Sequence, residues 1–230
     1  MATTYKVYRD GNEIANELTE KSFTDSELTP NTTYEYQVSA VNANGESELS
    51  APITVTTDYS DPTAVDVSPK TNNLVVSGTR SLTATVSPDT ANPSVNWSSS
   101  DEAIATVSST GEVTAVSTGT ATITATSTDD NTVKGTATVN VTQPVTGVSV
   151  DPSTAELEVG ATQQLTETVS PSNATNKGVT WSSSDEAIAT VDSTGLVTAV
   201  AEGSATITVT TDDGGKTATS EITVIAASGA

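Results

Sequence analysis

The sequence predicts an all-β chain built from three tandem modules, the last two of them antiparallel β-sandwiches. Three observations carry that expectation: a duplicated block, an apolar pattern of period two, and turn residues between the apolar runs. The duplication is direct. Trp97-Ser-Ser-Ser-Asp-Glu-Ala-Ile-Ala-Thr-Val107 recurs unchanged as Trp181-Ser-Ser-Ser-Asp-Glu-Ala-Ile-Ala-Thr-Val191, an offset of 84. The match continues downstream, where Thr110 to Val116 answers Thr194 to Val200 and Ala121 to Thr124 answers Ala205 to Thr208. Upstream, Val65, Val67 and Pro69 answer Val148, Val150 and Pro152. A repeat of this length is a whole small domain rather than a solenoid unit.

Residues 1–60 form the first module. Six of the eight aromatic residues lie here, namely Tyr5, Tyr8, Phe23, Tyr34, Tyr36 and Tyr59. Tyr5 and Val7 alternate with polar residues, and Asp10-Gly11-Asn12 supplies turn chemistry before Ile14. Tyr34, Tyr36, Val38 and Ala40 predict a second strand, and Ile53 with Val55 a third. Asp58 to Pro62 reads as a linker.

The second module, 61–143, and the third, 144–230, share one strand grammar. Leu82 with Ala84 and Val86, Val139 with Val141, and Ile207 with Val209 alternate with Thr, Ser or Asn, and Leu74 and Val76 are spaced by two around Val75. Alternation of this kind fits half-buried strands, and the abundant Thr suits a pleated surface. Gly and Pro fall between the runs. Aromatic content is 3%, so the predicted core is Val, Ile, Leu and Ala around one large ring, Trp97 in one copy and Trp181 in the other.

Composition excludes several function classes. There is no Cys and no His, which removes structural zinc sites of the usual ligand sets, disulfide frameworks, thiol nucleophiles and Ser-His-Asp triads. Against 8 Lys+Arg stand 29 Asp+Glu, a formal net charge of -21. Such a chain repels both the phosphate backbone of nucleic acid and an anionic membrane. The acidity is spread out: three basic residues against ten acidic in 1–60, three against eight in 61–143, two against eleven in 144–230. No run approaches the roughly 20 apolar residues that span a bilayer. The start, Met1 to Asp10, lacks the basic region and apolar stretch of a secretory signal. Synthesis in a cytoplasm without export by the general secretory route is therefore expected.

Each candidate site also admits a plainer role. Trp97 and Trp181 are of a type that stacks on sugar rings, but their repetition in a strand context favours an interior role. Asp101-Glu102 and Asp185-Glu186 offer the carboxylates of glycoside hydrolysis. Neighbours on a strand point to opposite faces, so neither pair flanks one bond, and a surface role is expected. Asp129-Asp130 and Asp212-Asp213 are carboxylate pairs in matched loops, conceivable for calcium. They lack the alternating spacing of a dedicated loop, which favours hairpin turns. No catalytic residue, cofactor or metal is assigned.

The opening Val-x-Val-x-Pro (Val65 to Pro69, Val148 to Pro152), then Leu-x-x-x-Val-x-Pro (Leu82 to Pro88, Leu165 to Pro171), the Trp-Ser-Ser-Ser-Asp block and the Gly-x-Val-Thr-Ala-Val strand resemble bacterial immunoglobulin-like domains of group 2. The resemblance covers both repeats end to end. Tyr5 to Gly11, Leu28 to Asn42 and Gly45 to Pro52 resemble the later part of a fibronectin type III domain. In that pattern Tyr34 is the tyrosine-corner residue, its ring buried and its hydroxyl bonded back to the chain.

The resemblance also implies that the first two strands of the fibronectin pattern are absent, so the first sandwich is reduced. Such a block closes on itself, receives its cover from a partner or a second copy, or begins at an artificial boundary. It is read as the attachment end, with Tyr5, Val7 and Tyr8 on candidate docking strands.

Families of this kind occur in bacteriophage virion proteins and in bacterial surface adhesins. The resemblance thus implies a non-enzymatic particle protein: a capsid decoration, head fibre or tail appendage at the virion surface. It would be held by a capsid or tail protein through the N-terminal module, with host-surface carbohydrate as a weak outward partner, and neither nucleic acid nor membrane insertion involved. The alternatives are an adhesin fragment at a bacterial cell surface and an accessory domain of a secreted glycan-active enzyme.

Overall fold

The computed structural model describes residues 3–227. Every regular element among them is a strand. By compactness the chain falls into two units, Met1–Ser68 with Thr83–Trp97 and Thr124–Thr136, and Pro69–Leu82 with Ser98–Ile123 and Ala137–Ala230.

The first module contains β1 (Thr4–Arg9), β2 (Asn12–Leu18), β3 (Thr33–Asn42), β4 (Gly45–Glu46) and β5 (Ile53–Thr56). They make one antiparallel sheet in the order β2-β1-β3-β4, with β5 on β3. The Asp10-Gly11 turn forms as its composition predicts, with φ of +50° and +77°. The all-β class holds, but the expected reduced sandwich is a single sheet: no second layer lies among the module's described strands. Residues 22–26, where the fibronectin pattern continues, carry no strand assignment.

Each repeat contributes nine strands. In the first they are β6 (Ala64–Ser68), β7 (Thr71–Val75), β8 (Thr79–Ser81), β9 (Thr83–Ser87), β10 (Val95–Ser99), β11 (Ala105–Val107), β12 (Glu112–Ala115), β13 (Gly119–Ser127) and β14 (Lys134–Thr142). In the second they are β15 (Gly147–Asp151), β16 (Thr154–Glu158), β17 (Thr162–Gln164), β18 (Thr166–Ser170), β19 (Val179–Ser183), β20 (Ala189–Val191), β21 (Leu196–Ala199), β22 (Gly203–Thr211) and β23 (Thr217–Ile225).

The second repeat shows how the sequence builds the sandwich. One sheet runs β16-β23-β22-β19, facing β17-β21-β20 and the β15-β18 pair. Register matches burial: Ala205 opposes Ile222, and Gly203 opposes Val224, so the period-two residues of both strands fall on one face. Leu165, Ala189, Val197, Ile207 and Ile222 are fully enclosed. Each large apolar side chain there contributes about 1.5–3 kcal/mol by leaving water.

Two features differ from the sequence expectation. The leading segment changes sheets midway in both repeats. β15 pairs antiparallel with β18, and after Pro152 the chain continues as β16, parallel to β23. In the first repeat β6 pairs antiparallel with β9 and, past Pro69, β7 runs parallel to β14. Proline has no N–H to give a ladder, which makes it a natural point for a strand to leave one sheet and join another. The second difference concerns the indoles. Trp97 and Trp181 are half-buried rather than central. β19 is the edge strand of its sheet, so Trp181 packs along the margin of the core while aliphatic residues occupy its centre.

Candidate functional site

Cross-strand pairing sorts the first module into two faces. Tyr5 opposes Ala40, Val7 opposes Val38 and Arg9 opposes Tyr36. On the other flank of β3, Tyr34 opposes Val55 and Tyr36 opposes Ile53. Directly opposed residues share a face, so Tyr5, Val7, Tyr34, Tyr36, Val38, Ala40, Ile53 and Val55 all point the same way. An apolar face of this kind normally lies against a second sheet. Here Ile53 is 64% exposed, Val55 50% and Val38 45%. A groove of about 370 Å³ opens on this face, lined by Tyr5, Val7, Leu18, Glu20, Lys21, Ser22, Phe23 and Val38. Only Val7 on its floor is buried, at 7%.

Polar groups fix one end of this face. The Arg9 guanidinium donates to Asp25 at 2.8 Å and lies 5.3 Å from the Tyr34 ring centre. The Tyr36 hydroxyl donates to the same Asp25 oxygen at 2.7 Å. That hydrogen bond, with the Arg9 charge behind it, lowers the Asp25 pKa. The half-buried Tyr34 accepts a hydrogen bond from the backbone N–H of Thr29 at 3.0 Å, which lowers its own pKa. Sequence reasoning named Tyr34 but missed Arg9, Asp25 and Tyr36 as a group. Nothing in their spacing announces the contact.

The opposite face is charged and gathers on Glu46. Its carboxylate accepts from the Ser39 hydroxyl at 2.6 Å, the Tyr8 hydroxyl at 2.7 Å and Lys6 at 2.9 Å. Lys6 also pairs with Glu13 at 3.1 Å. These donors, Ser39 first, hold Glu46 down to about 2. Tyr8 therefore belongs to this polar cluster. All three lie on β1, where Tyr5 and Val7 share the open face and strand alternation turns Tyr8 to the other.

The other sequence candidates take structural positions. Asp101 and Asp185 each accept from the backbone N–H two residues on, Ala103 and Ala187, at 2.9 Å. Asp130 accepts from the Thr132 N–H and hydroxyl, and Asp129 from Asn92. Asp213 accepts from the Val145 N–H at 2.8 Å, and Asp212 from the Thr180 hydroxyl at 3.4 Å. Among the described residues no group of three or more His, Cys, Asp or Glu is placed to hold a metal ion. No helix among them is long and apolar enough to cross a membrane.

Residues 61–139 and 144–222 both match the bacterial Ig-like domain (group 2) family. The chain belongs to that family. Ahead of its Ig-like domains, residues 2–56 match the fibronectin type III domain; Tyr34 there is half-buried, where the resemblance implies a buried ring.

Relatives of this tandem Ig-like chain include phage proteins and a glycan-active enzyme. It is 36% identical over 165 residues to an Ig-like virion protein of Serratia phage KSP90, covering 70% of this chain and 64% of that protein. It is 53% identical over 45 residues to a minor capsid protein of Enterobacteria phage T3, 20% of this chain and 10% of that one. It is also 48% identical over 80 residues to a lacto-N-biosidase of Bifidobacterium bifidum, 35% of this chain and 7% of the enzyme. The chain thus spans less than two thirds of each of these relatives.

Proposed function

We propose that this chain is a non-enzymatic structural component of a bacteriophage particle. Its N-terminal module attaches to a capsid or tail protein, and its two Ig-like domains are displayed at the virion surface. The observation that carries the reading is the 36% identity to a phage Ig-like virion protein across 70% of the chain. The minor capsid protein match points the same way over a shorter stretch. The open sheet face supports the N-terminal module as the attachment end, because an apolar patch of that kind marks a surface meant to be covered. Outward Ig-like domains in many copies would turn weak contacts with host-surface carbohydrate into useful avidity. Quantitative mass spectrometry of purified particles tests the reading: the chain should be present at a fixed copy number, and its absence from intact particles rejects it.

A second reading rests on the lacto-N-biosidase match, which favours an accessory domain of a glycan-active enzyme. That reading requires the chain to be found joined to a catalytic domain and to raise turnover on a polymeric glycan when present. Neither is required of a particle protein.

A further inference from the structure

We infer that the open face of the first module is a receptor for one added β-strand, donated by a partner protein whose strand alternates apolar and polar residues between basic flanks. The inference deepens the particle-bound reading by naming how the N-terminal module docks, and it rests on that reading for the partner's source.

Two independent features meet at the groove. One is the apolar floor of Tyr5, Val7 and Val38, of which Val38 is 45% exposed. The other is the groove wall. Residues 22–26 run without a bend or turn and belong to no strand, and among the described residues 21–24 make no hydrogen bond. An unbent segment with unpaired backbone groups beside an apolar floor is the arrangement that strand addition uses. Main-chain hydrogen bonds form along the free edge, and every second side chain of the incoming strand drops onto the floor. Phe23, 41% exposed, lines the groove on that wall.

Charge selects the partner. The module has three basic residues against ten acidic, and the whole chain stands at -21. A second copy would bring like charge to like, whereas a strand flanked by Lys or Arg meets an opposite field.

The test uses the full chain and a synthetic peptide alternating Val and Thr between terminal Lys residues, with a counterpart ending in Glu. Amide hydrogen exchange should show protection of residues 22–24 when the Lys peptide is added. The Glu peptide should bind about tenfold more weakly at low salt, with the gap closing as salt rises. Val38→Thr keeps the β-branched shape and should weaken Lys-peptide binding about tenfold. Phe23→Ser provides a second variant outside the strands. Exchange at Val7 reports that each variant remains folded.

Three outcomes overturn the inference: residues 22–24 left unprotected at saturating peptide, equal binding of the two peptides at low salt, or a dimer in sedimentation that already protects 22–24. A chain missing from particles that still captures the Lys peptide would reject the particle reading and leave the strand receptor standing.

Discussion

Gly195 holds φ at +81°, and a β-carbon there would lie 2.8 Å from the Leu165 carbonyl oxygen and 3.0 Å from Cζ2 of Trp181. The glycine in the Gly-x-Val-Thr-Ala-Val strand is thus required twice, by the left-handed turn and by the ring packed against it. Gly195→Ala should destabilise the second Ig-like domain by about 1–3 kcal/mol, read as a lower urea midpoint by Trp181 fluorescence in a Trp97→Phe background. Gly147 has nothing within 4 Å of its would-be β-carbon, so Gly147→Ala should stay within about 0.5 kcal/mol. Glu46, with Asp25 and Glu13 also lowered, contributes to the pH dependence of the first module. Its folded pKa lies near 2, below the ordinary 4.5, because Ser39, Tyr8 and Lys6 hold the charged form. A depressed carboxylate stabilises the fold fully above its unfolded pKa and loses that contribution as pH falls through its folded one. Exchange protection at the Ser39 amide should therefore decline between pH 4.5 and 2. Glu46→Gln should flatten that decline, and an unchanged slope in the variant would discharge Glu46 from the role.

The strand switch at Pro69 and Pro152 is closed differently in the two repeats. In the second, the enclosed Ser220 on β23 donates its hydroxyl to the Pro152 carbonyl at 2.8 Å. In the first, Asn72 on β7 donates its amide nitrogen to the Pro69 carbonyl at 3.1 Å, leaving its own buried amide oxygen without a hydrogen bond. Alignment of the repeats puts Ala137 where Ser220 stands and Ala155 where Asn72 stands. Each copy thus carries one donor, from opposite sides of the parallel pair. Ser220→Ala should cost about 0.5–1.5 kcal/mol in urea unfolding. Adding Ala155→Asn to that variant should recover part of the loss by installing the other copy's solution; a further loss would mean the two positions are not interchangeable. This level of detail marks the limit of what the sequence discloses. Ile207, Val209, Ile222 and Val224 announce their strands because alternation is local and burial follows it directly. The parallel pairing of β16 with β23 joins residues far apart in the chain, and nothing in a local period encodes that register. The half-burial of the indoles is hidden from the sequence for a related reason. Repetition reveals that Trp97 and Trp181 matter, but an edge strand and a central strand carry the same alternation. In the first module Tyr5 and Val7 could be read onto one face, whereas the Arg9, Asp25 and Tyr36 cluster arises only when the sheet brings positions 9, 25 and 36 together.

At the scale of the whole chain, charge governs association. Acidic residues outnumber basic ones in all three modules, so a formal -21 is distributed rather than held in a tail. Like charge at neutral pH opposes the pairing of the exposed apolar face with itself. The repulsion is long-ranged only at low ionic strength, since the screening length shrinks to about 8 Å at 0.15 M salt. Two consequences follow, of the same sign and different strength. Lowering the pH toward the isoelectric point, about 4.1, removes the net charge and should promote self-association. Raising salt at neutral pH screens the same repulsion without altering the carboxylates, so it should promote self-association more weakly while slowing capture of a basic partner. Sedimentation velocity across pH 7 to 4, and at low and high salt, separates these effects. If the open face drives the association, Val38→Thr should reduce it in both series. If the variant associates as readily as the parent near pH 4, charge neutralisation over the Ig-like domains is sufficient, and the first module's apolar face plays no part in self-association.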